Sequence, residues 1–430
     1  MAKPIPKLRH IFTTLNERGI SYCHWKSNEH LCAALVGKTD LDILVVPKEV
    51  ELLRGVLRDT RCKRLYSARD AQHPEREDWL GFDEETGEQF HIDLHTGIVI
   101  GPRELKVYNL PITEWLLEGT TLQDGVRVPP PSKELALLIV RILLKGAPFE
   151  KSMKREMDWL LERADAPTAI PIEGVTEVVV DFLKRYRNNT QFFNLSSALH
   201  HSLRPYYRSS RFERWYARLS FFLRNKLHVR RTRYARKPAV FFAIVGADGS
   251  GKTTITESIV KWLGWKVSVV HLYFGSPRNS RLVRFFSFLR ARVSLSITDS
   301  WYWLAVVWVR YRQYVRARRF SARGVMVIAE RYPLRAFWDM RQPMDGPRIP
   351  TWRVSSKIER WLYGRIGMPD TIIVLKTPLD ILKERKTEKR IDEKAQAIEA
   401  LVGTPFVPVR TDVPQEETLR EVKRIVWNSI

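Results

Sequence analysis

The alternation of apolar and polar residues divides the chain into two parts. In residues 1–125 short helical segments alternate with strand-like ones, and the clearest strands are LDILVV (41–46) and QFHIDLHTG (89–97). Their alternation and apolar content favour half-buried strands. From residue 239 the pattern changes to longer apolar strands followed by helices, beginning with AVFFAIV (239–245). We therefore expect an α+β domain over 1–125 and an α/β domain with a parallel sheet over 239–430.

The residues between these two parts predict helices. After three consecutive prolines, the stretch SKELALLIVRILLKGA is typical of an apolar helix, with Ser132 as its N-cap and Glu134 in its first turn. REMDWLLERA and VVVDFLKRYR predict two further helices. We expect a helical extension over residues 126–200.

Residues 201–238 differ from both neighbours. Between 203 and 237, about a dozen basic side chains are interleaved with aromatic ones, against one acid, Glu213. This pattern predicts a basic amphipathic helix and a charged linker. It favours either a surface for nucleic acid or acidic lipid, or a helix that packs its aromatic face while its arginines stay solvated.

The composition shows a strong positive charge and indicates the cellular compartment. The 430 residues carry a net charge of +24, which indicates an anionic partner or a composition that simply favours arginine. Three cysteines without a C-x-x-C pair favour a reducing, cytoplasmic setting and argue against disulfides or structural zinc. The start of the chain shows no secretory signal. WYWLAVVWV (301–309) is too short to span a membrane and predicts a buried helix, so membrane contact would be peripheral.

The stretch GADGSGKT (246–253) matches the phosphate-binding pattern G-x-x-x-x-G-K-[ST], with an apolar strand before it and a helix after it. In such a loop the backbone N–H groups surround an anion and the helix adds its positive end. Lys252 would reach the β- and γ-phosphates of ATP, and the Thr253 hydroxyl would bind Mg²⁺. The nucleotide-binding residues would be Gly246, Asp248, Gly249, Ser250, Gly251, Lys252, Thr253 and Thr254.

Two later stretches extend this site. GVMVIAERYP predicts a buried strand that delivers Glu330 and Arg331 at its carboxyl end, where ligands gather in open α/β sheets. PDTIIVLKTP predicts another strand, followed by a helix rich in bases that could close over a transferring phosphoryl group. Those bases are Lys383, Arg385, Lys386, Lys389 and Arg390.

On these motifs, residues 240 to about 405 resemble the thymidylate kinase family of P-loop nucleoside-monophosphate kinases. The resemblance implies an ATP- and Mg²⁺-dependent kinase acting on a small phosphorylated acceptor. Asp248 would approach the acceptor, Glu330 would support the metal or the acceptor phosphate, and Arg331 would hold that phosphate. Because Gly249 stands where an arginine could be, transition-state charge would be stabilised by Arg385 or Arg390.

The chain also departs from this family. HLYFGSPRNSR replaces the family's Arg-Glu-Pro-Gly-like segment, and QPMDGPRIPT (342–351) is more similar to a divergent branch associated with surface-polysaccharide gene clusters. The acceptor is therefore expected to differ from thymidylate, in polysaccharide or nucleotide metabolism. Candidate acceptor residues are His271, Arg278 and Asp345.

A second candidate site lies in the first part. In a strand, Asp40 and Asp42 would face the same way, and like charges so close suit a Mg²⁺ ion that holds a triphosphate. Asp93, between His91 and His95 on a second strand, supplies a third carboxylate. The two histidines could be metal ligands, but the preferred interpretation is that they bond to neighbours.

Residues 5–165 resemble nucleotidyltransferases of the polymerase-β-like superfamily, through HWKSNEHLCAALVGKTDLDIL and the later FHIDLHTG. The resemblance implies that Asp40 and Asp42 hold the metal and that Asp93 holds a second metal or activates the acceptor hydroxyl. Ser27 and Lys26 would contact phosphate, although Lys26 replaces the family's glycine. An inherited fold with an inactive or regulatory site is the alternative.

Three hypotheses for the whole chain follow. The first is a kinase coupled to a nucleotidyltransferase-like domain. The second is a nucleotide-regulated protein that binds nucleic acid or membrane through 203–237. The third is a nucleotidyltransferase that modifies a protein or RNA.

Overall fold

The computed structural model describes residues 3–67, 74–102, 106–146, 148–164, 166–207, 233–277, 279–293, 296–338, 345–385 and 391–430. The chain divides into two units, Met1–Arg231 and Thr232–Ile430.

The first unit begins with a mixture of strands and helices and continues with helices. Its strands are β1 (Tyr22–His24), β2 (Leu41–Val45), β3 (Lys63–Ser67), β4 (Arg76–Phe82), β5 (Gln89–His95), β6 (Ile98–Ile100), β7 (Tyr108–Leu110), β8 (Thr121–Gln123) and β9 (Val126–Val128). Its helices are α1 (Pro6–Glu17), α2 (Leu31–Leu35), α3 (Val50–Asp59), α4 (Thr113–Leu117), α5 (Pro131–Lys145), α6 (Lys151–Leu161), α7 (Val175–Arg187) and α8 (Leu195–Ser202).

Strands β1 to β5 lie side by side in the order β1-β2-β5-β4-β3. The pair β2–β5 is parallel, and the register places Asp42 opposite Asp93, which in turn lies opposite Asp78 on the antiparallel strand β4. On β2, Leu41 and Ile43 pack in a core with residues of α1 and α3. Because side chains alternate along a strand, the carboxylates of the three aspartates share the opposite face of the sheet.

Helix α5 is buried over most of its length and organises the helical part of the first unit. It packs with Trp25, which follows β1, with Leu44 of β2, and with Met157 and Phe182 of α6 and α7. The expectation that Ser132 caps this helix is wrong. The helix begins one residue earlier, at Pro131, with no side-chain cap, because proline is already preorganised for the first helical position.

The second unit alternates strands and helices. Its strands are β10 (Arg233–Tyr234), β11 (Phe241–Gly246), β12 (Val269–Tyr273), β13 (Met326–Glu330), β14 (Thr371–Lys376) and β15 (Phe406–Arg410). Its helices are α9 (Lys252–Leu263), α10 (Arg281–Arg292), α11 (Ser296–Ala322), α12 (Val354–Gly364), α13 (Leu379–Arg385), α14 (Ile391–Glu399) and α15 (Gln415–Ser429).

Strands β11 to β15 form a sheet in the order β12-β13-β11-β14-β15, and every neighbouring pair in it is parallel. The predicted α/β domain with a parallel sheet is confirmed. Strand β11 is central, and its residues Phe241, Ala243 and Val245 pack in a core with Ala317 of α11 and Ile398 of α14. The loop after β11 therefore starts from the middle of the sheet, at the edge where ligands bind in such folds.

The apolar run 301–309 forms part of the 27-residue helix α11, but the prediction that it is buried is wrong in part. Ala305 to Val307 are buried, whereas the side chains of Trp301 and Trp308 are 52% and 43% exposed. The run is apolar on every side of the helix, and packing neighbours do not cover all of these sides. Among the described helices, none is both long and apolar enough to cross a bilayer.

Most of the predicted basic segment, residues 208–232, lies outside the described residues. The cysteines carry free thiols: Cys23 and Cys62 are buried and Cys32 is exposed.

Candidate functional site

The loop between β11 and α9 has the backbone of a phosphate-binding loop. Gly249 and Gly251 adopt φ angles of 91° and 83°, which side-chain-bearing residues rarely adopt. Gly246 is needed for a different reason, since a Cβ there would lie 2.5 Å from Ser250 Oγ and 3.0 Å from Leu375 Cβ. These glycines let the chain turn tightly from the strand into the helix.

Lys252 is the first residue of α9, and its ammonium group is held over this loop. Lys252 Nζ donates hydrogen bonds to the carbonyl oxygens of Gly246 (3.0 Å) and Ala247 (2.6 Å). Its side chain is buried, and this burial lowers the pKa of the ammonium group. The positive charge is therefore fixed at the loop and shielded from bulk water, where its attraction for phosphate is strong.

Asp248 lies at the centre of three basic side chains. Its carboxylate is 2.6 Å from the Arg331 guanidinium, 3.1 Å from Lys394 Nζ and 3.6 Å from Lys252 Nζ. Burial alone would raise the pKa of Asp248, but the three cations hold it well below its usual range. Asp248 thus remains ionised and ties the loop to Arg331, which has a left-handed φ of 57° directly after β13.

Glu330 and Thr253 form the oxygen-rich side of the site. The Thr253 hydroxyl donates to Glu330 Oε1 at 2.8 Å, and His271 Nε2 lies 3.5 Å from the other carboxylate oxygen. Burial would raise the pKa of Glu330, but the contacts with His271 and Thr253 lower it. The hydroxyl and the carboxylate are oxygen ligands of the kind that Mg²⁺ prefers, and they lie close enough to contact one ion. Mg²⁺ commonly keeps several waters and also binds substrate phosphates. His271, predicted to bind the acceptor, contacts this carboxylate.

A cleft of about 160 Å³ opens beside the loop. Arg385 of the predicted basic lid lies in its wall, so this residue faces the same cleft as Ser250 and Thr254 of the loop. The remaining wall consists of apolar and polar side chains from α9, from the segment between β15 and α15, and from the first turns of α15. These are Ile255, Thr411, Val413, Gln415 and Thr418.

The other predicted lid and acceptor residues are placed differently. Arg390, Lys386, Lys389 and Arg278 lie outside the described residues. Lys383 is exposed and pairs with Asp392 at 2.8 Å. The Asp345 carboxylate is bound 2.8 Å from the buried Arg310 guanidinium, which also donates to its backbone oxygen. Asp345 is therefore occupied by an internal ion pair.

In the first unit, the structure brings together Asp42, Asp93 and His95. One potential ligand atom from each lies within 4.8 Å of the others. Asp40 is not a member of this group, because its carboxylate faces His91 Nδ1 at 3.3 Å. His91 Nε2 contacts Asp78 at 3.1 Å. His91 thus contacts neighbouring side chains as expected, whereas His95 takes the third position that the sequence predicts for Asp40.

The two carboxylates of this group already have basic partners. Lys26 Nζ lies 2.8 Å from Asp42, and the Arg76 guanidinium binds Asp93. Burial would raise the pKa of each carboxyl group, but Lys26 and His95 lower that of Asp42, and His95 and Arg76 lower that of Asp93. Lys106 is close to these groups: burial and the neighbouring Arg76 and Lys26 lower its pKa to about 8. Lys26 therefore contacts a carboxylate at the position where the sequence predicts a phosphate contact.

Ser27, the other predicted phosphate contact, is bound to a carboxylate of α6. Its amide and its hydroxyl both donate to Glu156 Oε1, at 3.1 and 3.3 Å. The next residue, Asn28, donates from its amide and its side chain to Glu134 of α5, at 3.0 and 2.7 Å. Two buried carboxylates thus hold this turn, with the left-handed φ of 59° at Ser27.

Several residues that the structure adds to these sites belong to no sequence motif, so the sequence does not predict them. Lys394, Thr411 and Val413 come from the far end of the second unit. Arg76 and Glu156 reach the first site from β4 and α6. Only the alternation of β5 carried a signal, since it placed His95 on the same face as Asp93.

No model of a protein family matches the chain. The chain is similar to the uncharacterized ATP-binding protein YghR of Escherichia coli strain K12, with 25% identity over 220 residues. The similar region covers 43% of this chain and 85% of that protein. The YghR protein of E. coli O6:H1 (strain CFT073) gives the same values.

Among solved structures, the chain is similar to a thymidylate kinase from Ehrlichia chaffeensis, with 18% sequence identity and a TM-score of 0.29. The similar region covers 44% of this chain and 98% of the thymidylate kinase. Nothing in these comparisons supports a nucleotidyltransferase fold for the first unit. The glycine loop that links a central parallel strand to a helix makes the second unit P-loop NTPase-like in architecture.

Proposed function

We propose that the second unit is an ATP- and Mg²⁺-dependent phosphotransferase of the P-loop kinase type, acting on a small phosphorylated acceptor. The observation that carries this proposal is the arrangement of Lys252 over the glycine loop with the Thr253–Glu330 pair beside it. The similarity to a protein named as ATP-binding supports ATP as the nucleotide.

The loop and α9 would hold the triphosphate. Lys252 Nζ would exchange its contacts with the Gly246 and Ala247 carbonyl oxygens for contacts with phosphate oxygens. The first N–H groups of α9 add the positive end of the helix dipole. Thr253 and Glu330 would hold Mg²⁺ directly or through water, and the ion would supply charge neutralisation between the phosphates.

The cleft beside the loop suits the purine end of the nucleotide. Ile255 and Val413 offer apolar contacts, Gln415 offers hydrogen-bonding groups, and Arg385 offers a planar guanidinium for stacking. Because Ser250 and Gly251 form both the phosphate loop and the wall of this cleft, one molecule of ATP could occupy both.

Arg331 and Lys394 would bind the acceptor's phosphate. Both are held by Asp248, next to the loop that would present the γ-phosphate. Two donors fixed by one carboxylate are well placed to orient an anionic acceptor before transfer, and orientation together with charge neutralisation supplies most catalysis in this reaction class.

The test is mass spectrometry of products after incubation of the full chain with ATP, Mg²⁺ and a panel of nucleoside and sugar phosphates. We expect one acceptor to gain one phosphoryl group, and Lys252→Ala to abolish that product. Lys261→Ala, at an exposed position of the same helix, is the matched control. Equal turnover by Lys252→Ala and the unmodified chain would reject the assignment.

We propose nucleotidyl transfer as a second candidate activity, for the first unit. Its support is the convergence of Asp42, Asp93 and His95, three groups able to bind a divalent cation. Transfer of label from α-labelled ATP to an acceptor, lost in Asp93→Asn and retained in Lys252→Ala, would support it. Absence of such transfer would leave the group a structural ion-pair network.

A further inference from the structure

Three helices of the second unit form a layer with α11 in the middle. On one side Val283 of α10 packs with Ala305 and Val306 of α11. On the other side Val307 of α11 packs with Leu362 of α12. The apolar residues on the inward sides of the three helices are therefore already covered by packing within the layer.

Each of the three helices also has an outward apolar stripe. The exposed fractions of Phe285 and Phe288 on α10 are 56% and 52%, and that of Trp361 on α12 is 57%. The spacing of three or seven residues within each stripe places its members on one side of the helix. We call these residues the aromatic face: Phe285, Phe288, Trp301, Trp308, Ile358 and Trp361.

The aromatic face lies in strongly basic surroundings. Residues 279–309 contain four arginines, and residues 348–365 contain five Lys or Arg, against one acid in each segment. Both acids are engaged: Asp299 pairs with Arg290 at 2.8 Å, and buried Glu359 accepts from two backbone amides. The surface that surrounds the apolar stripes is therefore positively charged.

Aromatic and basic side chains are also in contact at this surface. The Arg292 guanidinium lies 4.3 Å from the ring centroid of Phe288, and Phe286 and Trp301 stack at 6.2 Å across α10 and α11. Exposed Trp and Phe beside arginine are typical of proteins that rest in the headgroup region of a bilayer.

We propose that the aromatic face binds the surface of a bilayer rich in anionic lipid. Its aromatic rings enter the boundary between headgroups and acyl chains, while the surrounding arginines contact lipid phosphates. Two copies of the face would bring like charges together, which opposes self-association. Single-stranded nucleic acid could stack its bases on the rings and bind its phosphates to the arginines. It would gain nothing from the exposed aliphatic side chains Ile358 and Val354, and Val354 is 78% exposed.

The test measures co-sedimentation of the full chain with phosphatidylcholine vesicles prepared with and without phosphatidylglycerol. We expect binding only to the anionic vesicles and a decline with added salt. Phe285→Ser combined with Phe288→Ser should weaken partitioning roughly tenfold or more. Arg284→Gln should weaken it about fivefold and reduce its salt dependence.

Matched controls distinguish binding through the aromatic face from nonspecific adsorption and from loss of folding. Val402→Ser removes an apolar side chain outside the three helices that is more exposed than either phenylalanine, and Arg424→Gln removes an exposed charge on α15. Both should bind vesicles as the unmodified chain does. Circular dichroism melting and ATP binding should be unchanged in all four variants.

Three outcomes would overturn the proposal. One is no binding to anionic vesicles by the unmodified chain. Another is binding that the aromatic variants leave unchanged. The third is a dimer in analytical ultracentrifugation that the aromatic variants dissociate, without any vesicle binding, which would assign the face to a second copy.

Discussion

Asp248 and Arg331 are joined by a contact of 2.6 Å between a carboxylate oxygen and the guanidinium. The contact links the phosphate loop to the end of β13, the strand next to β11. It also keeps Arg331, in its left-handed conformation, directed at the loop.

Asp248→Asn should lower turnover more than ATP affinity. Neutralising this carboxylate removes the common partner of Arg331 and Lys394, so the acceptor side of the site loses its orientation, while Lys252 becomes more available to phosphate. We expect a roughly tenfold or larger fall in kcat, equivalent to about 1.4 kcal/mol, and an ATP dissociation constant that is unchanged or lower. Stopped-flow ATP binding and steady-state turnover separate the two quantities. A parallel loss of both would contradict this division of roles.

Thr253→Val should make the reaction require more Mg²⁺. The variant keeps the shape of the side chain but removes the hydroxyl that contacts Glu330. We expect about a tenfold increase in the half-saturating Mg²⁺ concentration, and we expect Thr253→Ser to restore the original value. The measurement is turnover against Mg²⁺ at fixed ATP. An unchanged Mg²⁺ requirement in Thr253→Val would remove Thr253 from the metal site.

Glu134 should make the first unit less stable as pH rises. Complete burial raises the pKa of this carboxyl group to about 7 in the folded chain, against about 4.3 in an unfolded one. Between these values the folded state binds more protons, so its stability falls with rising pH and levels off above about 7. Glu134→Gln should flatten the dependence of the melting temperature on pH across this window, and the change in the free energy of unfolding that it removes is at most about 4 kcal/mol.

Two observations control the Glu134 prediction. Exposed Glu177→Gln should leave the pH profile unaltered. Some slope should persist in Glu134→Gln, because burial also raises the pKa of Glu29 to about 7. A slope of the opposite sign in the unmodified chain would contradict the assignment.

Lys26→Met should strengthen divalent-cation binding by the first unit. The ammonium group lies 2.8 Å from Asp42 and competes with any cation for that carboxylate. Electron paramagnetic resonance of added Mn²⁺, without nucleotide, measures the change. Asp93→Asn should remove the binding and Asp40→Asn should leave it intact, since Asp40 faces His91. Equal effects of the two aspartate variants would instead favour a metal site that includes Asp40.

What the sequence predicts well is local in the chain. The phosphate loop, its strand and its helix are contiguous, so their glycines and apolar residues reveal them together. Alternation along two strands predicts that Asp42 and Asp93 each lie on the polar face of their strand, whereas the register that places them opposite each other is set by the sheet. Arg76 and Glu156 could not be predicted in the same way, because tertiary packing alone brings β4 and α6 to the site.

The same reason explains why the predicted burial of residues 301–309 in α11 is wrong in part. Its apolar run predicts burial, but burial depends on which neighbours cover each side of the helix, and no local pattern states that. Trp301 and Trp308, seven residues apart, lie on an uncovered side.

The burial of α5 determines how the first unit can be divided for expression. A fragment that ends at residue 125 would lose this helix and leave Trp25, Leu44 and Tyr108 without the residues that cover them. Newly exposed apolar surface of this kind promotes aggregation. The strand-rich segment and the helices after it should therefore be produced as one polypeptide extending at least through Leu203.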